Sequence, residues 1–193
     1  MFIIGVVGLN GSGKDTLVRY LNQRWDIPGF SLGDIVREIA DREGVAKTRD
    51  NLHELSQQYR VLRGKGFFVR QLIQRLEARH IEAAGISGIR SPDEVRILRR
   101  RFGDRFVLIH TEVTEPKIRF ERTRQRGDPR DVESLEEFLR DDKEEQELFE
   151  IQEAIQRVDI NINNDGDLQD FRHRIQEQLI KGRLADELGA TCR

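Results

Sequence analysis

Phe2-Ile3-Ile4-Gly5-Val6-Val7-Gly8-Leu9-Asn10-Gly11-Ser12-Gly13-Lys14-Asp15-Thr16 is the stretch from which the fold is read. Its first part is an apolar run, rich in β-branched residues, without charge and without alternation. Such a run suits a strand buried on both faces, as in a parallel sheet. A glycine-rich turn follows, then Lys14, then Leu17, Val18, Leu21 and Trp25 at helical spacing. Strand, glycine loop, lysine and helix in that order form the context a phosphate-binding loop requires. Gly8, Gly11 and Gly13 admit positive φ and close approach of backbone to ligand. The amides of the loop, Asn10 and Ser12 among them, then converge at a helix N-terminus whose partial positive charge favours an anion. Lys14 adds a full charge within reach of β- and γ-phosphates. The bland alternative, a glycine turn that merely starts a helix, does not account for strand, spacing and lysine together.

Such a loop usually ends Gly-Lys-Ser/Thr, with the hydroxyl on Mg²⁺; here Asp15 takes that place and Thr16 follows. A carboxylate beside bound phosphates is repulsive unless a cation lies between them. Asp15 is therefore either a Mg²⁺ ligand, direct or through water, or an acidic first-turn residue favoured by the helix dipole. Both readings leave Thr16 free to supply the hydroxyl.

Working outward, 193 residues suffice for one domain with a full core. Hydrophobic residues make up 37% and charged residues 35%, so a heavily charged surface is expected. A net charge of −2 offers no global attraction to nucleic acid or membrane, and neither is expected as a partner. The single cysteine, Cys192, cannot form an internal disulfide, in keeping with a reducing, cytoplasmic setting. No charged segment precedes the opening apolar run, and Lys14 and Asp15 interrupt it. It is expected to be neither a signal peptide nor a membrane span.

Beyond the first helix, Ile27–Leu32 reads as a short strand, with Asp34 at the junction to a helix over Ile35–Glu43 and Arg37 one turn in. Asp34 suits a helix N-cap. Two further helices, Thr48–Arg63 with Leu52, Leu55, Tyr59 and Leu62 inward and Phe67–Glu82, make a helical lobe before a buried strand over 83–89. Arg90 follows at that strand's carboxyl end, where ligands bind in open α/β sheets. Ser91-Pro92-Asp93-Glu94 has the pattern of a capping box, a stiff mount for Arg90 that favours anion binding. After a strand over 105–111, a helix opening at Thr114-Glu115-Pro116 carries Arg119, Arg122, Arg124 and Arg126, then a polar turn containing Asp131. It reads as a charged surface with internal ion pairs or, for two of these arginines, as a mobile phosphate clamp. Such a clamp must open and close. Leu135–Gln156 reads as one long acidic helix whose Glu136, Glu137, Asp141, Asp142, Glu144, Glu145 and Glu147 are mostly a solvated face, with Phe138, Leu148, Phe149 and Ile155 packing. A last strand over 158–163, alternating like an edge, leads to a turn at 164–166 and a closing helix over 168–179.

These residues together resemble the P-loop nucleoside monophosphate kinase group, over nearly the whole chain. Ser31-Leu32-Gly33-Asp34-Ile35-Val36-Arg37 is similar to the adenylate kinase stretch Ser-Thr-Gly-Asp-x-x-Arg, and Gly88-Ile89-Arg90 to its Gly-Phe-Pro-Arg segment. Arg122 and Arg126 fit the lid arginines, and Ile162-Asn163-Asn164-Asp165-Gly166 resembles the Ile-x-Asn-x-Gly loop that borders adenine. The order Ser-x-Gly-Asp, Asp-Gly-Ile-Arg-Ser, Asn-x-Gly is that of a group of adenylate-kinase-like proteins. Gly13-Lys14-Asp15-Thr16 is also similar to the loop of phage deoxynucleoside monophosphate kinases and animal phosphomevalonate kinases. Three departures stand out: Ser87 replaces the group's Asp before Gly-Ile-Arg, Leu32 replaces Thr, and the lid is short and lacks zinc-binding cysteines.

The resemblance, with the strand readings above, implies an α/β, three-layer P-loop NTPase fold: a five-stranded parallel sheet, helices on both faces, a helical acceptor lobe and a short lid. Residues 1–181 would form a single kinase domain, with the acceptor lobe at 34–83, the lid at 119–133 and a tail at 182–193. It implies an ATP- and Mg²⁺-dependent phosphotransferase acting on a small phosphorylated acceptor, foremost a nucleoside or deoxynucleoside monophosphate. Gly8, Asn10, Gly11, Ser12, Gly13, Lys14, Asp15, Thr16, Asn164 and Gly166 would bind the nucleotide. Asp15, Thr16 and Ser87 would serve the metal; Asp34, Arg37 and Arg90 the acceptor; Lys14, Arg122 and Arg126 catalysis. Alternatives are dephospho-coenzyme A or phosphomevalonate as acceptor, or a nucleotide-binding switch with little turnover, for which Ser87 is the motive.

Overall fold

The computed structural model describes residues 1–128 and 131–181. Strand β1 (Phe2–Val7) is buried at every position. Ile3 and Val7 face one layer of helices, Phe2, Ile4 and Val6 the other. That two-sided burial is why the strand carries no alternation. Around it lie β2 (Gly29–Ser31), β3 (Ala83–Ile89), β4 (Phe106–Glu112) and β5 (Ile160–Asn163), in the order β2-β3-β1-β4-β5. Every pairing is parallel. This is the three-layer P-loop fold, with its five-stranded sheet covered on both faces.

Helix α1 (Lys14–Trp25) packs Leu17, Val18 and Leu21 with Phe171 and Ile175 of α9 (Leu168–Lys181) on one face. On the other lie α2 (Leu32–Glu43), α5 (Pro92–Phe102) and α8 (Ile151–Ile155). The lobe of α3 (Arg49–Arg63) and α4 (Phe67–Ala78) is built onto α2 through Leu52, Leu55, Phe68 and Leu72. Helices α6 (Pro116–Arg126) and α7 (Leu135–Phe149) pack on each other beside the loop that follows β1. The chain leaves β1 for β2 on one side and β3 for β4 on the other. The carboxyl ends of β1 and β3 therefore border the crevice where such sheets bind ligands.

Four local expectations change. Helix α2 starts at Leu32, because the Ser31 hydroxyl accepts from the Gly33 amide at 3.2 Å and caps it. Asp34 is thus a first-turn residue, not the N-cap. Leu62 is 76% exposed, since the last turn of α3 overruns the core that takes Leu52 and Leu55. The long acidic helix is two helices, broken at Glu150 with φ 55°. The break turns the chain so that Ile151 and Ala154 enter the same core as Phe149. The acidic stripe is not wholly solvated either. Phe138, Asp142, Glu145 and Phe149, spaced i, i+4, i+7 and i+11, are all buried. The part of the expected lid at 129–130 and the tail at 182–193 lie outside the described residues.

Candidate active site

The loop between β1 and α1 is built on backbone that only glycine takes comfortably. Gly11 has φ +78° and Gly13 φ +98°. A Cβ on Gly11 would come within 2.5 Å of the Arg119 carbonyl oxygen, and one on Gly13 within 2.4 Å of Asn164 Nδ2. The loop is tied down from both sides. Ser12 Oγ and Thr111 Oγ1 share a buried hydrogen bond of 2.8 Å, and Asn164 Nδ2 donates to the Ser12 carbonyl at 2.9 Å. Lys14 Nζ donates to the Leu9 carbonyl at 2.6 Å. Burial lowers the Lys14 ammonium to about 8, against the opposing pull of Asp15 and Glu145. An anion set beside it would raise it again.

In front of the loop opens a cavity of about 430 Å³, within the range of small-molecule sites. Asn10, Lys14 and Asp15 form its loop wall; Asp34 and Arg37 come from α2, and Arg90 from the end of β3. Arg126 and Asp131 close another side. The structure therefore gathers these expected residues around one space. Arg90 pairs with Glu145 at 3.0 Å, and its guanidinium lies 5.2 Å over the Phe149 ring. Its mount is the anticipated capping box: Glu94 Oε2 accepts from the amides of Arg90 and Ser91 at 2.9 and 3.1 Å. Arg37 pairs with Asp34, and Arg126 Nε donates to Asp131 at 3.1 Å.

Other expected residues stand outside the cavity wall. Ser87 Oγ donates to Asp15 Oδ1 at 2.7 Å and lines an adjoining groove. The Thr16 hydroxyl faces Arg19 at 3.4 Å. Arg122 donates to the carbonyls of Asn164 at 2.7 Å and Gly166 at 2.8 Å, so it fastens the β5–α9 turn to α6. Among the four arginines of α6, the one in contact with the loop is Arg119. It donates to the Asn10 carbonyl at 3.1 Å and makes a bidentate pair with Asp142 at 2.7 and 2.8 Å. It is buried, and its Nε is the one buried side-chain polar atom left without a partner among the described residues.

Sequence reasoning missed the far wall: Arg49, His53, Ser56 and Arg60 of α3, and Glu145 and Phe149 of α7. The signal existed. Residues 49, 53, 56 and 60 are spaced i, i+4, i+7 and i+11, a polar stripe flanking the apolar one. Arg49 meets Glu145 at 3.2 Å and Arg60 meets Glu94 at 2.8 Å. Burial pushes the Glu145 carboxyl up, but Arg90, Lys14 and Arg49 outweigh it and hold the group below its ordinary value.

The residues present fit a nucleotide and magnesium. The glycine cradle leaves no room for side chains, Lys14 is held in the loop, and Asp15 with Ser87 offers carboxylate and hydroxyl oxygens. Among the described residues no three His, Cys, Asp or Glu side chains gather to hold a metal. Magnesium in phosphate sites needs only one or two carboxylates, with phosphate and water completing its shell.

Residues 7–139 match a family model described as AAA domain. The chain is 36% identical to a UPF0200 protein of Thermococcus sibiricus, over 97% of this chain and 95% of the relative. It is also 36% identical to UPF0200 protein PH1008 of Pyrococcus horikoshii, over 93% of this chain and 96% of the relative. Among solved structures, a gluconokinase from Sinorhizobium meliloti 1021 is similar with a TM-score of 0.61 at 17% identity, across 100% of this chain and 98% of that one. A shikimate kinase from Acinetobacter baumannii in complex with shikimate gives 0.54 at 20% identity, across 93% and 92%. At such identities the likeness is one of fold. Among the described residues no helix is long and apolar enough to cross a membrane.

Proposed function

The chain belongs to the AAA domain family, alongside the UPF0200 proteins, and on that premise we propose that it is an ATP- and magnesium-dependent phosphotransferase. Its acceptor is a small phosphorylated molecule, foremost a nucleoside or deoxynucleoside monophosphate. The observation that carries this reading is the meeting of Arg49 of the lobe and Arg90 of the strand end on the buried carboxylate of Glu145, in front of the loop that holds Lys14. A donor-phosphate loop thus faces a preformed anion point across a cavity of ligand size. Phosphoryl transfer needs positioning and charge neutralisation more than covalent chemistry, and this arrangement supplies both.

In this reading the loop amides and Lys14 hold the β- and γ-phosphates. Asn164 and Gly166 border the base, and Arg122 keeps that turn in place. Magnesium would neutralise phosphate charge during transfer; Asp15, Ser87 and Thr16 are the residues that would serve it. Arg37 and Arg90 hold the acceptor's anionic group, and Arg126, which reaches the cavity, stabilises charge on the transferring group.

A second reading has its own observation. Each cavity arginine already has a carboxylate: Arg37 with Asp34, Arg49 and Arg90 with Glu145, Arg60 with Glu94, Arg126 with Asp131. A wall of paired donors and acceptors also suits the hydroxyl groups of a small acceptor of the kind for which the gluconokinase and shikimate kinase of like fold are named. A coupled ADP-release screen separates the two. Stimulation by nucleoside monophosphates, dephospho-coenzyme A or phosphomevalonate supports the phosphorylated acceptor and identifies it. Stimulation by gluconate or shikimate alone supports the second reading, and ATP binding without stimulation by any acceptor supports a nucleotide switch.

A further inference from the structure

Loop and strand end carry each other's usual metal-serving groups. In a P-loop site the loop ordinarily supplies a hydroxyl to the cation and a neighbouring strand end supplies a carboxylate. In this chain the loop position after Lys14 is Asp15, and the strand end carries Ser87. Ser87 is the register partner of Val6, one residue short of the loop-bearing end of β1. Ser87 is 2% exposed, and its hydroxyl donates to Asp15 Oδ1 at 2.7 Å. Asp15 itself is exposed and borders both the cavity and the adjoining groove, so its carboxylate stands open where a cation beside the loop would lie. Carboxylate and hydroxyl are both present and in contact; their positions are interchanged.

We propose that Asp15 and Ser87 are an exchanged pair: Asp15 is the direct protein ligand of the nucleotide-bound divalent cation, and Ser87 is its positioning residue. The inference deepens the magnesium–nucleotide reading above and rests on it. It explains why a carboxylate is tolerated next to phosphate-binding amides, since the cation separates the two anions. It also explains why Ser87 need not abolish activity, because the carboxylate missing from the strand end is supplied across the crevice. A first-turn acid that only complements the helix dipole needs no buried hydroxyl aimed at it.

The test uses Mn²⁺ as the probe, with its affinity in the ternary complex with ADP followed by electron paramagnetic resonance. Calorimetry measures ADP affinity without metal. In Asp15→Asn, Mn²⁺ affinity is expected to fall roughly tenfold or more, while metal-free ADP binds about fivefold tighter because a like charge has gone. These opposite shifts separate a ligand from a residue that merely supports the helix. The interchanged variant Asp15→Ser/Ser87→Asp should recover Mn²⁺ affinity to within about threefold of wild type, although Asp15→Ser alone does not. Metal-free ADP binding reports in each variant that the loop is folded. Unchanged Mn²⁺ affinity in Asp15→Asn, or an interchanged variant no better than Asp15→Ser, overturns the assignment while leaving the nucleotide reading intact. A wild type that binds no ADP removes both.

Discussion

Glu145 joins three parts of the molecule through one carboxylate: Arg49 of the helical lobe, Arg90 of the strand end and, through space, Lys14 of the loop. Removing one member of a buried pair typically costs about 3–5 kcal/mol. Arg90 keeps 34% of its side chain exposed, so water screens part of the loss. Glu145→Gln should therefore cost about 2 kcal/mol in denaturant unfolding. The pH dependence has a definite sign. The folded carboxyl lies below its ordinary value of 4.5, so its stabilisation is complete above that value and is lost as pH falls through the folded value. The stability gap between wild type and Glu145→Gln should be level around neutral pH and shrink as pH falls below the ordinary carboxylate value. A gap that widens toward acid would contradict the assignment of charge. Such a residue is hard to read in sequence, because Glu145 sits in a run of acids and its burial depends on where α7 packs. Gly11, Gly13 and Lys14 were legible because their chemistry is local: backbone conformation and one charge at one spacing.

Helix α6 shows how one element divides its arginines. Residues 119, 122 and 126 recur at i, i+3 and i+7 and face the loop, the β5–α9 turn and the cavity respectively, while Arg124 lies over Phe120. Arg126→Ala should lower kcat by roughly a hundredfold or more with ATP affinity changed less than about threefold, as expected for contact with charge that develops in the transition state. Arg122→Ala frees two carbonyls of the β5–α9 turn, so it should weaken ATP binding several-fold with a smaller effect on kcat. Equal losses of binding and turnover in both variants would contradict this division. Sequence periodicity showed the helix, but its partners are set by β5 and by the turn after it, more than forty residues away. The break at Glu150 was equally hidden, since no glycine or proline marks it. A left-handed L-residue costs about 1–2 kcal/mol relative to glycine. Against that stands the exposed pair of Glu150 with Lys65, worth little. Glu150→Gly should raise stability by about 1 kcal/mol in urea unfolding, whereas a loss of stability would show that the turn is not strained.

At the scale of the molecule, the strand order brings the ends of β1 and β3 together and sets the α3–α4 lobe opposite the phosphate loop. The layers and the strand count were legible because buried strands and amphipathic helices announce themselves by period. The order β2-β3-β1-β4-β5 was not, since it depends on pairings between distant segments. The site followed the same rule: its loop wall was read from contiguous residues, and its far wall emerged only when the lobe and α7 were placed. The central claim is that the two walls are donor and acceptor halves of one phosphotransfer site. It is tested most directly by following labelled γ-phosphate from ATP into product in the presence of the best acceptor from the ADP-release screen. Wild type should yield labelled acceptor only when magnesium is present, and Lys14→Ala, still folded by circular dichroism, should yield at least a hundredfold less. Label appearing only in inorganic phosphate, or a Lys14→Ala variant that transfers at the wild-type rate, would contradict the account.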